Sequence, residues 1–225
     1  MRLTLALLVL IIAQSCSSIK SSTKESAKAP TKAGEHAAKT VESRFKEGDK
    51  LKSYFNGVKV QTLEGEKKKL NQFFKKENNN ILIAVKPHCI FCETFLASLV
   101  SNIKNKEILK SGKKLGNDTP QPVDINSNII FFTDAKHSSL EEFKAKANDF
   151  KDFSATWVYD YNNKLSNDFA VTAFPRFLVL DSGFKLTTDK RGLVAPENPE
   201  ELRGLEVPVV LRKICETTVA WLADK

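Results

Sequence analysis

Strand-type and helix-type hydrophobic patterns alternate along most of this chain and end in a hairpin pattern, which predicts an α/β sandwich around a mixed sheet. Three observations carry that reading. Ile81-Leu82-Ile83-Ala84-Val85 and Asn128-Ile129-Ile130-Phe131-Phe132-Thr133-Asp134 are almost continuously apolar, as strands buried on both faces are. A helical pattern follows each of them: Phe95, Leu96, Leu99, Val100 and Ile103 form a stripe after the first, and Ser138-Ser139-Leu140-Glu141-Glu142-Phe143 opens a helix after the second. Arg176-Phe177-Leu178-Val179-Leu180 then runs through the turn Asp181-Ser182-Gly183 into Phe184-Lys185-Leu186 as a hairpin. With 225 residues, 41% hydrophobic and 28% charged, the chain has the length and composition of one globular domain with extra length at its ends.

Taken in order, Met1 and Arg2 lead into an apolar run over residues 3–13 that stops at Gln14-Ser15-Cys16. The run is too short to span a bilayer and reads as the core of an export signal over residues 1–15. Ala13-Gln14-Ser15-Cys16 resembles the lipobox of bacterial lipoproteins, with Gln14 bulkier than the small residue usual there. That resemblance implies cleavage before Cys16, lipidation of Cys16, and anchoring by more than one acyl chain. In such families Ser17 points to the outer membrane where one exists. Residues 16–52 are rich in Ser, Lys, Ala and Thr, include Pro30, Gly34 and an exposed His36, and are expected to form a solvated tether. The folded domain is expected over residues 53–225.

Within that domain Val58-Lys59-Val60-Gln61-Thr62-Leu63 alternates as a strand, Glu64-Gly65 turns, and Leu70, Phe73 and Phe74 belong to a short lysine-rich helix. Residues 105–127, with Gly112, Gly116, Pro120 and Pro122, read as a polar surface connection. Ser138 or Ser139 caps the next helix, with acidic residues in its first turn. A short strand over Thr156-Trp157-Val158-Tyr159-Asp160 and a short helix over residues 162–169 come before the hairpin. Residues 206–222 close the chain as a helix with Pro208 in its first turn.

Between the first buried strand and its helix stand Cys89-Ile90-Phe91-Cys92. A C-x-x-C beside a β-α pattern places one thiol at a helix start and the second within its reach, which is a redox arrangement. The same spacing also fits half of a metal site. No second C-x-x-C follows, and no metal is expected. The net charge of +8 carries little information on nucleic acid, because residues 17–52 alone hold nine Lys and Arg against five Asp and Glu. The domain has no arginine cluster or aromatic-basic motif, and nucleic-acid binding is not expected.

Cys89-Ile90-Phe91-Cys92 after one buried strand and Phe174-Pro175 before another together resemble the thioredoxin-like fold, in particular the extracytoplasmic TlpA/ResA-like and redoxin group. The tract from Thr156 to Gly192, including Ala170-Val171-Thr172-Ala173-Phe174-Pro175, is similar to that group's run from a short strand through the proline to the closing hairpin. The resemblance spans roughly residues 54 to 224. It implies a three-layer α/β/α sandwich with a central mixed sheet, an N-terminal β extension, and an inserted element between the C-x-x-C helix and the proline strand. It further implies that Pro175 forms a cis bond and that its loop faces the cysteines, with Phe174 and Pro175 contacting substrate backbone. His88 stands where tryptophan is common, Ile90-Phe91 where Gly-Pro is usual, Ile83 in place of the buried acid of cytoplasmic thioredoxins, and Arg176 where a small polar residue is common.

The resemblance implies a membrane-anchored thiol-disulfide oxidoreductase that uses a redox-active Cys89–Cys92 disulfide and no bound cofactor. Cys89 is the attacking thiol and Cys92 the resolving one. A helix start favours the Cys89 thiolate by roughly 0.3 to 2 kcal/mol. His88 and Lys86 add to this if their cations approach, while His88 equally suits a solvent-facing role. Partners are then exported protein thiols or disulfides, a redox partner of unspecified identity, and the membrane through the lipid anchor, with the domain facing the periplasm. Cys215 is the odd cysteine, expected buried and inert in the last helix, and His137 is expected on the surface. A lipid-anchored binding or surface-interaction protein, with the C-x-x-C as a structural disulfide, is the alternative.

Overall fold

The structure is a computed structural model that describes residues 42–116, 119–151 and 153–225. The signal over residues 1–15, Cys16 and the stretch with His36 lie outside the described residues. Residues 43–225 form one compact unit.

Its elements are α1 (Lys52–Gly57), β1 (Lys59–Thr62), β2 (Lys67–Lys69), a 3-10 turn (Leu70–Phe73), β3 (Asn80–Ala84), α2 (Ile90–Lys110), β4 (Asn128–Asp134), α3 (Leu140–Asp149), β5 (Thr156–Asp160), α4 (Lys164–Asp168), β6 (Arg176–Leu180), β7 (Leu186–Arg191), a second 3-10 turn (Pro199–Leu202) and α5 (Val207–Ala223). Seven strands form one sheet in the order β2-β1-β5-β4-β3-β6-β7. β3, β4 and β5 run parallel, whereas β6 returns antiparallel to β3 and β1 antiparallel to β5. Every residue of β3, β4 and β6 is buried, so their runs are apolar without alternation.

Strand alternation sorts the helices into two layers. Ile83, Phe131, Trp157 and Phe177 are register partners and share one face. On that face Phe95 of α2 and Trp221 of α5 pack edge-on to Phe177, and Phe143 of α3 packs on Trp157. Arg176 is adjacent to Phe177 and so points to the opposite face, where its guanidinium meets the Ala170 carbonyl just beyond α4. An aromatic cluster of Phe45, Tyr54, Phe55 and Phe169 fills the layer that holds α1 and α4. The mixed sheet between helical layers is the architecture expected. The β1–β2 hairpin is its N-terminal extension, and α3, β5 and α4 stand between β4 and the proline strand β6, where an inserted element is expected.

Several boundaries differ from the sequence expectation. The compact unit begins at Ser43, not at residue 53: Leu51 N–H donates to Phe184 O, Gly48 N–H to Leu186 O, and Arg44 N–H to Asp168 O. Phe45 packs against Phe169 and Leu51 is buried, so residues 43–52 are part of the compact unit and not of a tether. Lys67, Lys68 and Lys69 form an exposed edge strand, not the start of a helix, since pairing with β1 satisfies one side while lysines discourage further pairing on the other. Gly65, at φ +92°, makes the hairpin turn possible. α2 continues to Lys110, past the expected start of the connection at residue 105. Asn102 exchanges two hydrogen bonds with Val123 and Asn105 donates to Pro120 O, so these polar residues fasten the connection to the helix without ending it.

Candidate active site

β3 delivers the chain through Val85-Lys86-Pro87-His88 to Cys89, which is the N-cap of α2 with extended backbone (φ −99°, ψ 112°). Cys89 O accepts from Glu93 N–H at 2.9 Å as the first helical bond. The N–H groups of Ile90 and Phe91 fall in the first turn, where a helix leaves such donors without helical acceptors. Those donors and the positive end of the helix dipole favour negative charge on a sulfur placed there. Cys89 is 4% exposed and Cys92 1% exposed, so both cysteines are buried, the second slightly more deeply. Ile90, 58% exposed, stands at the rim.

The facing wall is the loop from Ala170 to Pro175. The Phe174–Pro175 peptide is cis, and Cys89 Sγ lies 4.0 Å from Phe174 O. The two motifs that are far apart in the sequence therefore meet. The wall is fastened at both ends: Val171 N–H donates to Ser166 O at 2.8 Å and Gly192 N–H to Pro175 O at 2.8 Å. Arg176, fully buried, donates from Nε and Nη2 to the two Asp189 carboxylate oxygens at 2.8 and 2.6 Å, and from Nη1 to Ala170 O at 2.6 Å.

His88 is exposed and holds a left-handed backbone (φ 60°) that turns the chain into Cys89. Its charge helps to hold the Glu142 carboxyl below its ordinary value, after the larger effects of the Ser139 backbone N–H and the Ser138 hydroxyl. His137, expected as an ordinary surface residue, belongs to the site. Its Nδ1 lies 2.6 Å from Asp134 Oδ1, and its ring meets Phe174 edge-on with centroids 4.8 Å apart. Asp134 is buried at the end of β4, and the same oxygen also accepts from the Lys136 and His137 backbone N–H groups, both at 3.0 Å. Its partner in register is Asp160, whose carboxyl burial pushes above its ordinary value and whose Oδ2 accepts from Ser166 N–H at 2.8 Å. An acid that ends a strand and is followed at once by a turn signals that turn, but the contact of His137 with a wall built from another part of the chain follows only from the fold.

Cys215 is buried in α5, and burial pushes its thiol up to about 12, which fits an inert packing role. Among the described residues no group of three His, Cys, Asp or Glu side chains is placed to hold a metal ion, and no helix is long and apolar enough to cross a membrane. A groove of about 320 Å³ between α2 and α5, bordered by Asn102, Pro120, Arg212 and Glu216, lies apart from the two cysteines.

The parallel β3-α2-β4 unit, the antiparallel β6–β7 pair beside it, the C-x-x-C at the start of α2 and the proline loop opposite define a thioredoxin-like fold. No protein-family model matches the chain, and no curated protein matches it. Among solved structures it is similar to a secreted Mycobacterium tuberculosis disulfide oxidoreductase homologous to E. coli DsbE, at 13% identity and a TM-score of 0.44 over 68% of this chain and 96% of that one. It is similar to StoA from Bacillus subtilis, at 18% identity and a TM-score of 0.40 over 64% and 92%. It is also similar to a thioredoxin-like protein from Aeropyrum pernix, at 15% and 0.43 over 62% and 83%.

Proposed function

We propose that this protein is a thiol-disulfide oxidoreductase that exchanges disulfides with exported proteins through Cys89 and Cys92, held at the cell envelope by a lipid on Cys16. The observation that carries the reading is the position of Cys89: at the N-cap of a long helix, with the second cysteine slightly more deeply buried and a peptide carbonyl 4.0 Å from its sulfur. The Cys89 thiolate attacks one sulfur of a partner disulfide, that S–S bond breaks, and the departing sulfur takes a proton. Cys92, as thiolate, then attacks the mixed disulfide, the partner's second sulfur leaves, and a Cys89–Cys92 disulfide remains. The reverse sequence oxidises a partner dithiol. Export and anchoring rest on the signal pattern and the lipobox resemblance at residues 1–16.

The test uses a polypeptide disulfide such as insulin with the purified 43–225 domain. Cys89→Ser should abolish exchange, and Cys92→Ala should accumulate a mixed disulfide visible by mass spectrometry and released by reductant. Undiminished exchange by Cys89→Ser ends this reading. A Cys89–Cys92 potential below about −300 mV, with no exchange, assigns the pair to a structural disulfide instead. Radiolabelled palmitate on the full chain, lost in Cys16→Ala, checks the anchor.

A further inference from the structure

We propose that Arg176 is a positioning residue for polypeptide substrates: its buried guanidinium holds the 170–175 wall in the shape against which a substrate backbone docks beside Cys89. The proposal rests on the disulfide-exchange reading above. An arginine side chain fully removed from solvent is costly unless every face of its charge is met. Here each of the three guanidinium nitrogens donates a hydrogen bond. Nε and Nη2 take both oxygens of Asp189 on β7, and Nη1 crosses to the carbonyl of Ala170 at 2.6 Å.

Ala170 is where the wall leaves α4, and its backbone is left-handed (φ 49°), a conformation an L residue keeps only when its surroundings hold it. The Arg176 bond falls on that residue's own carbonyl. Because Arg176 also follows Pro175 directly, one side chain joins the two ends of the wall that carries Phe174. Asp189 is itself oriented through its backbone, whose N–H donates to Glu47 at 2.9 Å, so the anchorage extends into the segment packed ahead of α1. A lysine would supply a point charge on a flexible stem and would not span carboxylate and carbonyl together with fixed geometry.

A core ion pair that only stabilises the fold would have the same contacts, and the experiment separates the two roles. The double variant Arg176→Met/Asp189→Leu replaces the buried pair by apolar side chains, an exchange that is often neutral for stability. Arg176→Lys keeps the charge and gives up the fork. For the wild type and both variants, kcat and KM are measured with insulin and with a small aromatic disulfide, 5,5′-dithiobis(2-nitrobenzoate). Amide hydrogen exchange over residues 170–174 and urea midpoints are measured alongside. Misplacing a docking surface by about 1 Å costs on the order of a hundredfold in rate. We therefore expect kcat/KM for insulin to fall roughly tenfold to a hundredfold, carried mainly by KM, with the small disulfide within about twofold of wild type. Amides 170–174 should exchange faster in both variants. Parallel losses on both disulfides, an unchanged insulin KM, or unchanged amide protection would overturn the positioning role. A wild type inactive on both disulfides removes the exchange reading and this proposal together, whereas an active wild type with unaltered variants removes this proposal alone.

Discussion

Asp134 is 1% exposed, and one of its oxygens carries two backbone N–H bonds and the His137 ring. The imidazole thus acts on two neighbours at once: it meets a buried carboxylate and it supports Phe174, whose carbonyl faces Cys89. The pair of substitutions His137→Phe and His137→Ala separates these effects. Phenylalanine keeps an aromatic edge against Phe174 and removes the Asp134 partner, while alanine removes both. Both should lose about 0.5–1.5 kcal/mol in urea unfolding, because each removes one hydrogen bond from a buried carboxylate oxygen that keeps its two backbone donors. Only alanine should also slow exchange with a polypeptide disulfide. Equal exchange rates for the two variants would show that the ring contact has no part in shaping the wall. Cys89, Cys92, Phe174 and Pro175 are legible in the sequence because each motif is local. His137 is not, since its importance comes from a loop after β4 meeting a wall before β6, and neither segment's pattern points to the other.

Among the elements, α3 shows how closely local chemistry anticipates structure. Ser139 caps it in full reciprocity: its hydroxyl accepts from Glu142 N–H, and the Glu142 carboxylate accepts from Ser139 N–H at 2.9 Å. Ser139→Ala should cost about 1 kcal/mol in urea unfolding at pH 7. Glu142→Gln should have a pH-dependent cost. The Glu142 carboxyl is held below its ordinary 4.5 in the folded state, chiefly by that backbone N–H, so its contribution is fully present above 4.5 and is lost as pH falls through the lowered folded value. The stability gap between wild type and Glu142→Gln should therefore be open at pH 7 and closed near pH 2, and a gap that stays constant across that range would contradict the assignment. Strands β3, β4 and β6 were readable for an equally simple reason, their continuous apolar runs. β2 was not, because an edge strand of three lysines has the composition of a solvated helix and is fixed only by its pairing with β1. The true end of α2 was hidden in the same way. Asn102 and Asn105 look like helix breakers until the connection they hold is seen.

At the scale of the whole molecule, the largest difference between sequence and structure is where the domain starts, and it bears on any soluble fragment. Composition alone places residues 43–52 in a tether, since Lys46, Glu47, Asp49, Lys50 and Lys52 surround few apolar groups. Yet Leu51 is 2% exposed, Phe45 meets Tyr54 and Phe169, and the backbone of Gly48, Asp49 and Leu51 pairs with Phe184 and with Leu186 at the start of β7. Leu51 alone, fully buried, is worth about 1.5–3 kcal/mol. Removing the segment also uncovers the aromatic layer beneath α1 and strips Asp189 of its Glu47 partner, beside the Arg176 clamp. A fragment over residues 43–225 should unfold cooperatively in urea, whereas one over residues 53–225 should lose at least about 3 kcal/mol, a large share of a domain's total stability. Unfolding midpoints for the two fragments decide the matter. Equal midpoints would mean that residues 43–52 lie on the domain without supporting it, and that the wall opposite Cys89 is secured from β7 alone.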